Sequence, residues 1–145
     1  MKSCVAISLT SVLALILSAC GSGEASSTVD SDILLQTSSS WDGTPYENYL
    51  AVQPQLTVVK FTIPANRALN WHQHQVPNAA YVLSGSLMIE KENGQQIHVS
   101  AGQAVSEVVN LTHRGIAGAN GVVLIVFYAG AAGLPLSVSA NPSGQ

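Results

Sequence analysis

His72 and His74 stand two residues apart, and His113 lies far along the chain. If the segment around the first pair is extended, residues i and i+2 point to one face, so both imidazoles project together. His113 would then come from a distant strand. Two ligands on one strand and a third from another is how a strand barrel assembles a metal site. Neutral imidazoles suit Zn, Fe, Cu or Ni, and three protein ligands leave positions open for water or substrate. Asn78 follows four residues after His74, beyond Pro77. Its side chain can return to the same interior as a weak fourth ligand or as a hydrogen-bonding group behind the ligands. Glu107 interrupts an otherwise apolar stretch. It is the candidate general base or a substitute carboxylate ligand, against the plainer expectation that it faces solvent or pairs with Arg114 or Arg67. His98 sits on the return strand of a hairpin and is expected in solvent.

The elements that must position these residues read as strands between turns. Gln55 to Ile63 is β-branched and partly alternating, and Pro64-Ala65-Asn66 stops it. Ala80 to Leu83 runs into Ser84-Gly85, and Ser86 to Glu90 leads to Asn93-Gly94, a two-residue hairpin signal. Gln96 to Val99 is the return strand, and Ala104 to Val109 follows Ala101-Gly102. After the turn Asn120-Gly121, Val122 to Tyr128 is continuously apolar, as expected of a strand buried on both faces. Trp71, Tyr81 and Phe127 are expected in the core or the pocket wall. Beyond the N-terminal segment no stretch keeps a 3.6-residue period over three turns. Short strands at this spacing imply a sandwich or barrel, and about 110 residues can bury a useful core unaided.

The run Trp71 to Gly85 resembles the first motif of the cupin family, with two histidines separated by one residue and a glycine downstream. Gly102 followed by His113 resembles the second motif, and a hairpin with Asn93-Gly94 at its tip separates the two. The resemblance covers about Gln55 to Tyr128. It implies an all-β fold, a single small double-stranded β-helix (jelly-roll) barrel, with a divalent transition metal (Fe, Ni, Cu, Zn or Mn) held by His72, His74 and His113. The chain departs from the pattern. Asn78 stands at the family's glutamate, Val108 and Asn110 stand at its proline and glycine, and Ala117 stands at its asparagine. With no carboxylate among the ligands, the ion's full charge favours an anionic substrate or hydroxide in the open positions. Many cupins pair through edge strands, so a homodimer is expected.

The N-terminus carries a different message. Lys2 supplies a positive charge, and Val5 to Leu17 is an apolar run of about 13 residues, short of the roughly 20 that span a bilayer. Leu17-Ser18-Ala19-Cys20 resembles the lipobox of bacterial lipoproteins. That resemblance implies cleavage before Cys20 and acylation of its thiol, which anchors by burying acyl CH₂ groups. Residues 1–19 are then a signal peptide and 20–31 a flexible, lipid-anchored linker. The barrel spans 32–138, and 139–145 is a tail. Gly21, rather than aspartate, after the cysteine favours the periplasmic face of the outer membrane if the cell is Gram-negative. Cleavage removes Cys4 and lipid consumes Cys20, so no thiol remains for a disulfide, a thiolate metal site or a cysteine nucleophile. Lys60, Arg67, Lys91 and Arg114 are the basic residues left, and they form no clustered basic face for nucleic acid.

The functional expectation is a cupin lipoprotein that binds a metal and acts on a small molecule, with an oxygenase as first choice. The alternative is a tethered module that captures a small molecule or metal without turnover.

Overall fold

The computed structural model describes residues 28–142. The signal segment, the lipobox and Cys20 lie outside the described residues. The described residues form seven strands, all joined in antiparallel pairs. They are β1 (Pro54–Ile63), β2 (His72–Gln73), β3 (Asn78–Lys91), β4 (Gln96–Ser100), β5 (Ala104–Ser106), β6 (His113–Ala131) and β7 (Val138–Ser139). The chain is thus all-β, as the strand and turn pattern predicts. Among the described residues no helix is long and apolar enough to cross a membrane.

Two long strands organise the rest. β6, of 19 residues, pairs its second half with β1 on one side and with the first half of β3 on the other. Its first half pairs with the second half of β3 and, at His113, with β2. β3 in turn carries β4 and β5. Strands that change partners midway turn the corners of a barrel.

The corner lies where the sequence suggests two separate turns. Ser84-Gly85 and Asn120-Gly121 interrupt neither strand. The β3–β6 register instead shifts between Val82 and Ser84 and again between Gly85 and Leu87. Gly85 and Gly121 adopt positive φ of 76° and 74°. A Cβ on Gly85 would lie 2.0 Å from the Gly121 carbonyl oxygen, so the bend requires glycine there. A bulge with glycine bends a strand without ending it, and composition alone does not distinguish that from a turn.

The run Val122 to Tyr128 also differs from expectation. Its burial alternates: Val122, Leu124, Val126 and Tyr128 face the interior, while Val123 and Ile125 are only partly covered and Phe127 is 39% exposed. Apolar residues on the outer face of β6 hide the alternation that a half-buried strand normally shows. The interior cluster adds Ile63, Val82, Leu87, Ile89, Val99 and Val105.

An N-terminal strap, residues 37–46, closes over β5 from outside. Trp41 donates its amide to the Ser106 carbonyl at 2.9 Å, and the Ser106 hydroxyl donates to the Ser39 carbonyl at 3.0 Å. Asp42 then reaches Lys91 at 2.6 Å.

Candidate metal centre

His72 opens β2 directly opposite His113, which opens β6. Gln73 turns the other way and donates to the Thr112 hydroxyl at 2.9 Å. His74 follows on the same face as His72. The alternation expected of an extended segment therefore holds over the residues that need it, though β2 itself is only two residues long. The three rings gather with centroids 4.5 to 5.0 Å apart. One ligand atom from each lies within 4.8 Å of the others.

The ring orientations carry the chemistry. Each Nδ1 lies against a backbone carbonyl: His72 on Asn70 at 2.8 Å, His74 on Leu136 at 2.7 Å and His113 on Leu111 at 2.8 Å. A carbonyl only accepts, so each Nδ1 carries the proton and each Nε2 keeps its lone pair when the ring is neutral. Backbone carbonyls behind the ring fix the tautomer and the direction of metal-ligating histidines. The His113 Nε2 is buried with no hydrogen-bond partner, which fits a nitrogen made to hold an ion. The donor set of three buried or half-buried imidazoles fits a divalent transition metal.

Glu107 corrects the plainer expectation. It does not face solvent, and neither Arg114 nor Arg67 holds it. Arg114 is held by Glu90 and stacks its guanidinium 4.4 Å from the Trp71 ring centroid. Glu107 is 8% exposed, with Oε2 2.8 Å from His74 Nε2 and 3.8 Å from His113 Nε2. Burial pushes this carboxyl up, but the facing His113 and His74 hold it well below the usual carboxylate range. Burial pushes His74 down, and the hydrogen bond and charge of Glu107 more than reverse that, so its value is raised. His72 is lowered by burial, with its two neighbouring rings adding to the effect against the Asn70 carbonyl.

These residues line a cavity of about 300 Å³ whose other walls include Phe61, Leu69, Trp71, Leu124, Val126 and Tyr128. No Lys or Arg lines it. The expectation of an anionic substrate rested on a ligand ring without a carboxylate; Glu107 brings a carboxylate beside the imidazoles. Asn78 lies elsewhere. It is 5% exposed, opposite Tyr128 in the β3–β6 register, with neither amide atom hydrogen-bonded, and it is not among the cavity's lining residues. His98 is exposed on β4.

Tyr128 is the wall residue that sequence reasoning passed over in favour of Tyr81 and Phe127. Its ring sits 5.5 Å from that of His74. Burial, and then the Glu107 charge, raise its phenol, so the hydroxyl stays protonated and can donate. The parity of the run from Val122 was the signal for it. Ser137 and Ser139 also line the cavity. They belong to a segment tied back by β7, where Ser139 pairs with His72 and Ala140 donates to the Trp71 carbonyl at 3.1 Å. No motif marks that return.

Residues 59–128 match the family model described as the cupin domain. No curated protein matches the chain. Among solved structures, DMSP lyase DddQ from Ruegeria pomeroyi DSS-3 superposes with a TM-score of 0.54 at 18% identity, covering 71% of this chain and 49% of that one. A cupin-like protein from Thermotoga maritima gives 0.52 at 13% identity, over 62% and 68% of the two chains. Oxalate decarboxylase from Bacillus subtilis gives 0.51 at 17% identity, over 60% and 24%. The present chain thus spans about half the length of the DddQ chain. Likeness at these identities establishes the shared fold.

Proposed function

The chain belongs to the cupin superfamily through residues 59–128, and on that premise we propose that it is a metal-dependent protein of the cell envelope acting on a small molecule, with oxygenase chemistry first. One observation supports this above the rest. Three imidazoles from β2, the residue after it and β6 converge, each with Nδ1 committed to a backbone carbonyl. His72, His74 and His113 would hold the ion, which when bound supplies a Lewis acid with open positions.

The chain's own residues do the rest. Phe61, Leu69, Leu124 and Val126 exclude water and admit an apolar substrate or dioxygen. Trp71, stacked under Arg114, gives one wall a fixed plane. Tyr128 offers a protonated hydroxyl near His74. With a carboxylate present and no cationic side chain in the lining, the substrate that fits best is uncharged and mostly apolar, with one oxygen donor for the ion.

A second reading is favoured by one feature. Glu107 is the only carboxylate in the lining, and it is already engaged by His74. A tethered module that binds without turnover needs no free base, so it fits the same cavity.

The chain is expected to purify with near one equivalent of Fe, Ni, Cu, Zn or Mn by elemental analysis. A His72→Ala/His113→Ala variant is expected to lose it. No metal in either protein, even after soaking with each ion, would sink this reading. Oxygen uptake with phenolic and enolic probes separates turnover from binding.

The proposed location, the periplasmic face of an outer membrane, rests on the Leu17–Cys20 pattern. Incorporation of labelled palmitate that disappears in Cys20→Ser is the expected result, and labelling of the variant would remove the anchor. A homodimer through β1, which pairs only with β6 and leaves Leu56 and Val58 exposed, is part of the same proposal.

A further inference from the structure

We propose that Glu107 is a fourth protein ligand of the metal centre, a carboxylate delivered from the end of β5 to the His74 and His113 side of the three-imidazole cluster. The proposal rests on the metal-binding reading above and deepens it, since three histidines would suffice to hold an ion.

The distances fit one shared ion. Two donors each about 2.1 Å from an ion stand roughly 3.0 Å apart across an octahedral edge and roughly 3.4 Å across a tetrahedral edge. The Glu107 oxygen is 2.8 Å from one imidazole nitrogen and 3.8 Å from another, values that bracket both edges. Small side-chain shifts therefore bring all three donors onto a common centre.

Among the described residues no other cation claims this acid. Its side chain is 10% exposed, and the ion pairs it makes are to histidines alone. Arg114 is committed to Glu90 and Lys91 to Asp42. A buried carboxylate requires charge or hydrogen bonds on its lone pairs. The two facing imidazoles meet only part of that requirement, and a divalent ion meets the rest.

The main chain at Glu107 is held from both sides. Its amide donates to the Asn78 carbonyl at 3.1 Å, and its own carbonyl accepts from the Tyr46 hydroxyl at 2.6 Å. The N-terminal strap thus fixes the backbone from outside while the side chain points in. Ligands need that kind of support to keep their geometry.

Register explains why the acid can enter the interior. β3 and β5 pair Tyr81 with Ala104, Ala80 with Val105 and Ala79 with Ser106. The hydrogen bond from the Glu107 amide to the Asn78 carbonyl continues that ladder by one step. Residues directly opposite on antiparallel strands project to the same face. Glu107 therefore enters on the face where Asn78 is buried, and the carboxylate comes from the neighbouring strand. Asn78 itself is not among the residues lining the cavity.

The probe is Co(II), titrated into the full chain in mild detergent and read by visible absorption. Wild type, Glu107→Gln, Glu107→Ala and His113→Ala are compared, with metal-free thermal melts to confirm folding. Loss of a group that merely supports a ligand already weakens binding about 10–100-fold, so both Glu107 variants are expected to bind at least about tenfold more weakly. Their band position and intensity are expected to change. Added formate is expected to restore the wild-type band in Glu107→Ala, saturably, and not in His113→Ala. If Glu107→Ala does not fold, the band change in the isosteric Glu107→Gln decides. Wild-type affinity and spectrum in both variants overturn the proposal. So does weaker binding with an unchanged, formate-insensitive spectrum, which would make Glu107 a positioning residue behind His74. In either case His113→Ala still loses the ion and the three-histidine reading stands. Failure of the wild type to bind Co(II) overturns that reading as well.

Discussion

At the scale of single residues, the buried acids of this domain divide by partner. Glu107 meets imidazoles, and Asp42 meets an ammonium. The Asp42 side chain is 2% exposed and receives Lys91 at 2.6 Å, the Ser40 hydroxyl at 2.6 Å and the Thr44 amide at 3.0 Å. Burial raises this carboxyl, yet the donors together hold it well below its ordinary 3.8. A folded-state value below the unfolded one stabilises the fold above that ordinary value, and the stability fades as pH falls through it towards the folded value. Asp42→Asn is expected to lose about 2–3 kcal/mol at pH 7. It is also expected to flatten the acid limb below about pH 4, where the wild type loses this contribution. Urea unfolding of both proteins from pH 7 to pH 2 checks this, and parallel pH profiles would count against it. Neither acid's environment could be read from the sequence. His72, His74 and His113 were legible because their type and spacing are informative by themselves. Glu107 was legible as a candidate only, since its direction depends on the ladder between β3 and β5.

At the scale of elements, strands were easier to recognise than their continuity. Asn93-Gly94 does sit at a hairpin tip, with the Gly94 amide donating to the Lys91 carbonyl at 2.9 Å, but the connection runs over residues 92–95, longer than the two residues expected, and only Gly94 of the pair takes positive φ. Ser84-Gly85 has similar composition and sits inside a 14-residue strand. The difference lies in what approaches the glycine. A Cβ at Gly94 meets nothing within 4 Å, while at Gly85 it would collide with the Gly121 backbone. Alanine at Gly94 is therefore expected to cost only the left-handed backbone strain, about 1–2 kcal/mol. Gly85→Ala is expected to cost clearly more, roughly 3 kcal/mol or above, by adding a backbone clash at the corner to that strain. Thermal melts of the two variants compare them directly, and equal losses would mean that the corner relaxes. The short strands show the opposite limit. β2 and β7 have two residues each, too few for any periodic signal, and they place His72 and Ser139 only through long-range pairing.

At the scale of the whole molecule, one face of the sheet stays apolar and uncovered. Leu56 is 68% exposed and Val58 is 65% exposed on β1, beside Phe127 on β6. Contiguous exposed apolar surface of this kind marks contact sites. If two copies meet there, Leu56→Lys/Val58→Lys is expected to sediment as a monomer where the parent chain sediments as a dimer, with little change in melting temperature. A monomeric parent chain would retire the homodimer. The same face misled the reading of β6, because outward Val123, Ile125 and Phe127 made a one-sided strand look buried on both sides.

The sequence alone determined the all-β class, most strand positions, the histidine trio and the anchor-like N-terminal pattern outside the described residues. Each is a local property: alternation, turn chemistry, or the type and spacing of residues. Only the tertiary structure decided that Glu107 faces the histidines and not an arginine, that Tyr128 and not Phe127 walls the cavity, and that Gly85 and Gly121 bend continuous strands. Each of those depends on which strand lies opposite and in what register. In a sheet a one-residue step moves a side chain to the other face, so the facts nearest the chemistry are set by pairings between residues far apart in the chain.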